Sequence, residues 1–213
     1  MPWQEFIDSI IDELNIGWVV VGHDFCFGYK GEGKAEKLKV YCEEHGIGCD
    51  IMPPVMLDGR IVSSTYIRKL IADGDMEASA RYLGHPHTLS DTVHSGYHIG
   101  TKLGTPTINM HFPDGVIIPR HGVYAAKVYL EGGESYVAVT NVGIRPTVAN
   151  GNSVTVESHL LDYSGNLYGR QARVEFYKFL RPEKKFSGFE ELSAQIRCDA
   201  ESAKEYFESA DKK

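Results

Sequence analysis

No CxxC pair occurs among the four cysteines, Cys26, Cys42, Cys49 and Cys198, and the opening MPWQEFIDSI lacks the basic-then-apolar order of a secretory signal. Together these absences point to a reduced, cytoplasmic setting. Long hydrophobic runs are missing too: WVVVG and GVIIP fall far short of the roughly 20 residues needed to cross a bilayer, which argues against membrane insertion. There is no long basic block, and 22 Lys plus Arg against 29 Asp plus Glu give a formal charge of -7, so nothing favours nucleic acid or anionic lipid as a partner. Internal repeats and low-complexity linkers are absent. What is present, 42% hydrophobic and 24% charged residues over 213 positions, suits one ample soluble domain or two small ones.

Two patterns divide the chain. The first third alternates helix and strand. In WQEFIDSIIDEL, Phe6, Ile10, Ile11 and Leu14 recur at helical spacing; Trp18 to Val21 form a short apolar strand; residues 34 to 45 read as a helix with Leu38, Cys42 and His45 near one face, stopped by Gly46; and CDIM supplies a strand. DGR at 58 to 60 spells a turn, Ser63 or Ser64 caps a helix ending at Gly74, and Asp75 caps another. From about residue 90 the period becomes two, in HGVYAAKVYLEGG, YVAVTNVG, SVTVESHLLD and QARVEFYKFL, which predicts an antiparallel sheet or small barrel. GHPHTLSDTVHSG reads as a polar connection, and the tail returns to helical spacing through Phe189, Leu192 and Ile196.

The stretch HSGYHIGTKLGTPTINMHFPDG carries the most chemistry. Gly96, Gly100 and Gly104 permit the close backbone approach with which turn amides surround phosphate oxygens, and equally suit ordinary barrel turns; no GKS or GKT makes it a Walker A loop. Thr107 and Asn109 offer hard oxygens suited to Mg²⁺ on nucleotide phosphates, with Lys102 to offset charge; hydrogen bonding to their own turn is the alternative. In SVTVESHLLD, Val154, Val156, Ser158 and Leu160 share one face and Thr155, Glu157 and His159 the other. Glu157 is thus either a base that takes a proton from an attacking alcohol or a solvent-facing strand residue.

VGHDFCFG, SSTYIR, LGHPH, the glycine run ending in PTIN, NVGIRPT, VESHLLDYSGNLYG and LRPEKKF occur in the order found in the bacterial bifunctional riboflavin kinase and FMN adenylyltransferase family, and the chain resembles that family along essentially its whole length. The resemblance implies an α+β chain: a partial Rossmann-like α/β nucleotidyltransferase segment over residues 1 to 83, then a six-stranded Greek-key riboflavin kinase β-barrel with a C-terminal helix over 84 to 213. It implies ATP-dependent phosphorylation of riboflavin to FMN, with ADP released and Mg²⁺ as cofactor. By the same resemblance Thr107 and Asn109 match the metal and ATP motif, Glu157 the base for the ribityl 5'-hydroxyl, and Gly96, Gly100, Lys102 and Gly104 the nucleotide-facing region. Arg181 matches a flavin-side position. A planar flavin also needs an apolar slot, for which Leu160, Tyr163, Leu167, Tyr168 and Phe186 are candidates.

For adenylyl transfer the resemblance is incomplete. Asp24 and the group Ser63, Ser64, Thr65 and Arg68 match motifs of that second site, but Cys26 replaces the usual arginine, and the family's HxGH-type motif is missing. A thiol does not reproduce arginine's permanent forked donor. The expectation is a riboflavin kinase with adenylyltransferase activity lost, whether the chain is a natural short form or starts at an internal methionine. The alternatives are full FAD synthesis and a non-catalytic flavin or nucleotide-binding module. Oligomeric state is not legible.

Overall fold

The computed structural model describes residues 1–95, 107–147 and 151–210. The chain divides into two compact units, Met1–Val62 and Ser63–Lys213.

In the first unit, helix α1 (Trp3–Leu14) leads to strand β1 (Trp18–Gly22), a small hairpin of β2 (Cys26–Phe27) and β3 (Gly33–Lys34), helix α2 (Ala35–Glu44) and strand β4 (Gly48–Met52). Strands β1 and β4 pair in parallel, as a helical crossover requires, with Trp18 opposite Gly48 and Gly22 opposite Met52. One face of this pair packs Val21 with Ile7, Phe27, Ala35, Leu38 and Cys42. The other leaves Trp18, Val20 and Met52 exposed. Gly48 is needed under the indole: a Cβ there would stand 2.1 Å from a Trp18 ring carbon. Two residues foreseen as facing inward do not: Leu14 is exposed, and His45, just past α2, stacks on Tyr41 instead. Ile7 is the residue α1 buries. Strands β5 (Met56–Leu57) and β6 (Arg60–Ile61) form a hairpin whose turn, Asp58 and Gly59, has positive φ at both positions, as two-residue hairpins favour.

The second unit opens with helix α3 (Ser64–Asp73), capped by Ser63, whose hydroxyl accepts from the Tyr66 amide at 3.3 Å. Helix α4 (Met76–Leu83) is capped in the same way by Asp75. Six strands follow: β7 (His87–Thr92), β8 (Thr107–His111), β9 (Gly122–Leu130), β10 (Ser135–Thr147), β11 (Gly151–Leu160) and β12 (Gln171–Arg181). Their spatial order is β7-β12-β9-β10-β11-β8, all antiparallel, and within it β12-β9-β10-β11 is a Greek key. The sheet curls until an isolated bridge, His94 opposite Asn109, joins its β7 and β8 edges.

Leu89, Met110, Tyr124, Val142, Val156 and Phe176 fill the interior, and Ile71 of α3 and Met76 of α4 belong to the same core. Helix α5 (Phe189–Ala210) covers part of the outer surface, packing Ala203 and Phe207 on Ala125 with Val137, Val139 and Tyr177 alongside. That cover explains why β9 is buried on both faces. Phe189, expected on the apolar stripe of this helix, is exposed; the stripe is buried further along, at Asp199, Ala203 and Phe207. The segment read as a polar connection contains β7, in which His87 and Leu89 are buried, as is Val93 just beyond it, while Ser90 is exposed.

Candidate functional site

Directly opposed residues of antiparallel strands project to the same face. Following the register from the seam, His94 lies opposite Asn109, Asn109 opposite Glu157, Glu157 opposite Asn141, Asn141 opposite Val123, and Val123 opposite Arg181. Three of the residues singled out for chemistry, Asn109, Glu157 and Arg181, therefore stand in one row across the barrel wall. Thr107, two residues before Asn109, shares its face and pairs with His159.

Asn109 is 7% exposed, and among the described residues its Oδ1 has no hydrogen-bond partner. A buried, unpaired amide oxygen costs about 1–3 kcal/mol and persists where something else uses it. It is a hard oxygen, the donor type that Mg²⁺ and Ca²⁺ prefer. Glu157 is half-buried beside it. On its other flank the Asn141 side-chain amide donates to Glu183 at 3.4 Å, and Glu183 lies over Gly143, where a Cβ would meet its carboxylate at 2.2 Å. A side chain at position 143 would therefore push the Glu183 carboxylate aside.

At the far end, Arg181 gives its Nε to Asp199 Oδ1 at 2.9 Å and its Nη2 to Asp199 Oδ2 at 2.8 Å, while Gln195 also donates to Oδ1 at 2.9 Å. The guanidinium lies 5.7 Å from the centre of the Phe186 ring. Arg181 thus ties β12 to α5. Asn141, Glu183 and Asp199 carried no role in the sequence reading. Asp199 left a signal: it falls on the stripe Leu192, Ile196, Asp199, Ala203, Phe207, and a carboxylate in such a stripe needs a buried partner.

The other expected residues divide three ways. Gly96, Gly100, Lys102 and Gly104 lie outside the described residues. Asp24 is exposed in the first unit, whereas Ser63, Ser64, Thr65 and Arg68 sit at the start of α3 in the second. Of the flavin-slot candidates, Leu160 and Leu167 are closed into the interior core with Tyr163 packed against it, while Tyr168 is 40% exposed and Phe186 lies beside Arg181.

Comparison with known proteins decides the family. The model of the riboflavin kinase family matches residues 83–207 and that of FAD synthetase matches residues 1–66. The chain belongs to the riboflavin kinase family. Among the curated relatives of this riboflavin kinase family member are bifunctional riboflavin kinase/FMN adenylyltransferases from Listeria monocytogenes, 33% identical over 204 residues, and Escherichia coli K12, 37% identical over 205 residues. Each match covers 96% of this chain, but only 64% and 65% of those two relatives. A solved structure described as a macrolide-efflux protein from Streptococcus pneumoniae is 30% identical with a TM-score of 0.84, covering 96% of this chain and 65% of that one. Among the described residues no helix is long and apolar enough to cross a membrane.

Proposed function

We propose that the chain transfers the γ-phosphate of ATP to the ribityl 5'-hydroxyl of riboflavin, giving FMN and ADP, and that residues 84–213 carry this activity while 1–83 derive from an adenylyltransferase domain. The observation that carries the reading is the buried Oδ1 of Asn109, without a hydrogen-bond partner among the described residues and directly opposite Glu157.

Phosphoryl transfer asks a protein for charge neutralisation and for an aligned hydroxyl rather than a covalent nucleophile. Thr107 and Asn109 fit Mg²⁺, since both offer neutral hard oxygens and that of Asn109 has no partner among the described residues; when bound, the ion would supply charge neutralisation on the phosphates. Glu157, fixed on a strand, holds the position from which a carboxylate takes the proton of the attacking 5'-hydroxyl. Asn141 and Glu183 supply polar groups beside it. Arg181 acts through Asp199, fixing the joint between β12 and α5 near Phe186 and the flavin side. Gly96, Gly100, Lys102 and Gly104 take the nucleotide phosphates in this reading. The four described cysteines are all free thiols, which accords with a cytoplasmic setting.

The FAD synthetase match over residues 1–66 favours a second reading, adenylyl transfer to FMN. Against it, Cys26 stands at the arginine position of the resemblance, and the nearest cation, Lys34, reaches the Cys26 sulfur at 3.0 Å rather than forking as arginine does. A chromatographic time course of riboflavin, FMN and FAD with ATP and Mg²⁺ separates the readings. FMN alone supports the kinase; FMN followed by FAD supports both activities; flavin binding without either product makes the chain a binding module.

A further inference from the structure

At the seam of the barrel, three side chains of metal-binding type converge that phosphoryl transfer does not use. Asp91 lies near the end of β7, His94 just beyond it, and His111 ends β8. His94 Nε2 stands 3.1 Å from Asp91 Oδ2, and His111 Nδ1 stands 3.9 Å from the same oxygen. One ligand atom from each residue lies within 4.8 Å of the other two. The carboxylate is held in place from both sides, Oδ1 accepting from the Thr92 amide and Oδ2 from the His111 amide, each at 2.8 Å. The two imidazoles meet at 4.7 Å between ring centres, inclined by 61°.

We propose that Asp91, His94 and His111 bind a zinc-class divalent cation, at a site separate from the Mg²⁺ that accompanies ATP. The donor set decides the class: two imidazole nitrogens and one carboxylate oxygen are borderline ligands that suit Zn²⁺, whereas Mg²⁺ takes oxygens and keeps its water. Tetrahedral coordination at about 2.0–2.1 Å places ligand atoms about 3.3 Å apart. The Asp91–His94 spacing of 3.1 Å already matches, while the His111 nitrogen, at 3.9 Å from the Asp91 oxygen, has to draw closer on binding. With both histidines about half exposed, the fourth position is open to water. An ordinary surface ion pair has one histidine per carboxylate; here two imidazoles from opposite sides of a strand seam converge on one oxygen.

The consequence lies in the seam. Asp91 and His94 come from its β7 side and His111 from β8, so an ion held by all three reinforces a joint that already carries the His94–Asn109 bridge, in which the His94 amide donates to the Asn109 carbonyl at 2.8 Å, and the bond from the His111 amide to Asp91. The backbone that carries Asn109 is then fastened on both sides.

The test uses the untagged full chain, stripped with a chelator and titrated with Zn²⁺ against a chromophoric competitor, alongside His111→Ala and Asp91→Asn. His111→Ala leaves both amide hydrogen bonds to Asp91 in place, so the seam stays folded in that variant; the asparagine keeps an acceptor for one of the two amides. The expected result is one Zn²⁺ per chain, a Zn²⁺-dependent rise in Tm, and at least about a 10-fold loss of affinity in each variant. Wild-type affinity no tighter than that of His111→Ala, or a Tm rise that persists in both variants, overturns the proposal, because the binding then belongs to others of the nine histidines.

Discussion

Glu157 and Asn109 are a directly opposed pair on neighbouring antiparallel strands, a carboxylate beside a buried amide oxygen that lacks a partner among the described residues. Opposed pairs keep their Cβ atoms about 4.5–5.5 Å apart whatever the side chains do. The ladder therefore fixes the two positions from which these side chains reach, an arrangement that suits a base acting on an oxygen near a metal-bound phosphate.

Glu157→Gln preserves shape and removes the proton acceptor. Turnover of riboflavin at saturating ATP and Mg²⁺ is expected to fall by about 10²–10⁴ while riboflavin affinity holds. Stopped assays with separately measured flavin binding check it; an unchanged kcat removes Glu157 from the base role.

Asn109→Leu tests the neighbouring oxygen. Replacing a buried, unpaired amide oxygen with an apolar group of similar size relieves a cost of about 1–3 kcal/mol. The variant is expected to melt no lower than the parent yet lose metal-dependent phosphorylation. A fall in Tm with activity retained would make Asn109 an ordinary structural residue.

The row itself was only half legible. Period two identified β9 to β12 and set Glu157 on the face opposite Val156 and Ser158, because alternation survives wherever one face is buried. Which residue of β8 or β10 stands beside Glu157 is a matter of register, fixed by distant pairings that no local pattern encodes. Strand β7 escaped because its polar residues, His87, Ser90 and Asp91, outweigh Leu89 in a short window. The pairing of Arg181 with Asp199 spans eighteen residues and a change from strand to helix. The anomaly of Asp199 on an apolar stripe was visible, but its partner was not.

That ion pair supports the next expectation. The Asp199 side chain is 6% exposed and that of Arg181 21%, so removing the arginine strands a carboxylate in the interior. Arg181→Ala is expected to cost about 3–5 kcal/mol in urea unfolding, and Asp199→Asn in the same chain to recover a substantial part. Equal loss in the single and double variants would show that the buried charge is not the cause.

Thiol chemistry separates three of the four cysteines. Cys42 is fully buried, and burial, helped by the neighbouring Cys49, pushes its thiol up to about 11. Cys26 and Cys198 are exposed. Alkylation at pH 8 followed by peptide mapping is expected to label Cys26 and Cys198 in the native chain and Cys42 only after denaturation, since the thiolate is the reacting species. Rapid native labelling of Cys42 would mean that the first unit opens readily.

His87 sets a pH dependence. Its ring is buried against Phe176, its Nε2 meets the Ile117 carbonyl at 2.9 Å, and burial holds its pKa below the ordinary 6.5 in spite of that hydrogen bond; His85 nearby lowers it further. The folded chain thus resists a proton that the unfolded chain accepts, so the unfolded state binds more protons below about pH 6.5. The stabilisation from a neutral His87 is present above that value and is lost as pH falls towards the depressed folded pKa. Urea midpoints measured from pH 8 down to pH 5 are expected to decline more steeply for the parent than for His87→Gln, whose side chain still donates to a carbonyl and does not titrate. Parallel curves would assign the acid sensitivity to another of the histidines or to the carboxylates.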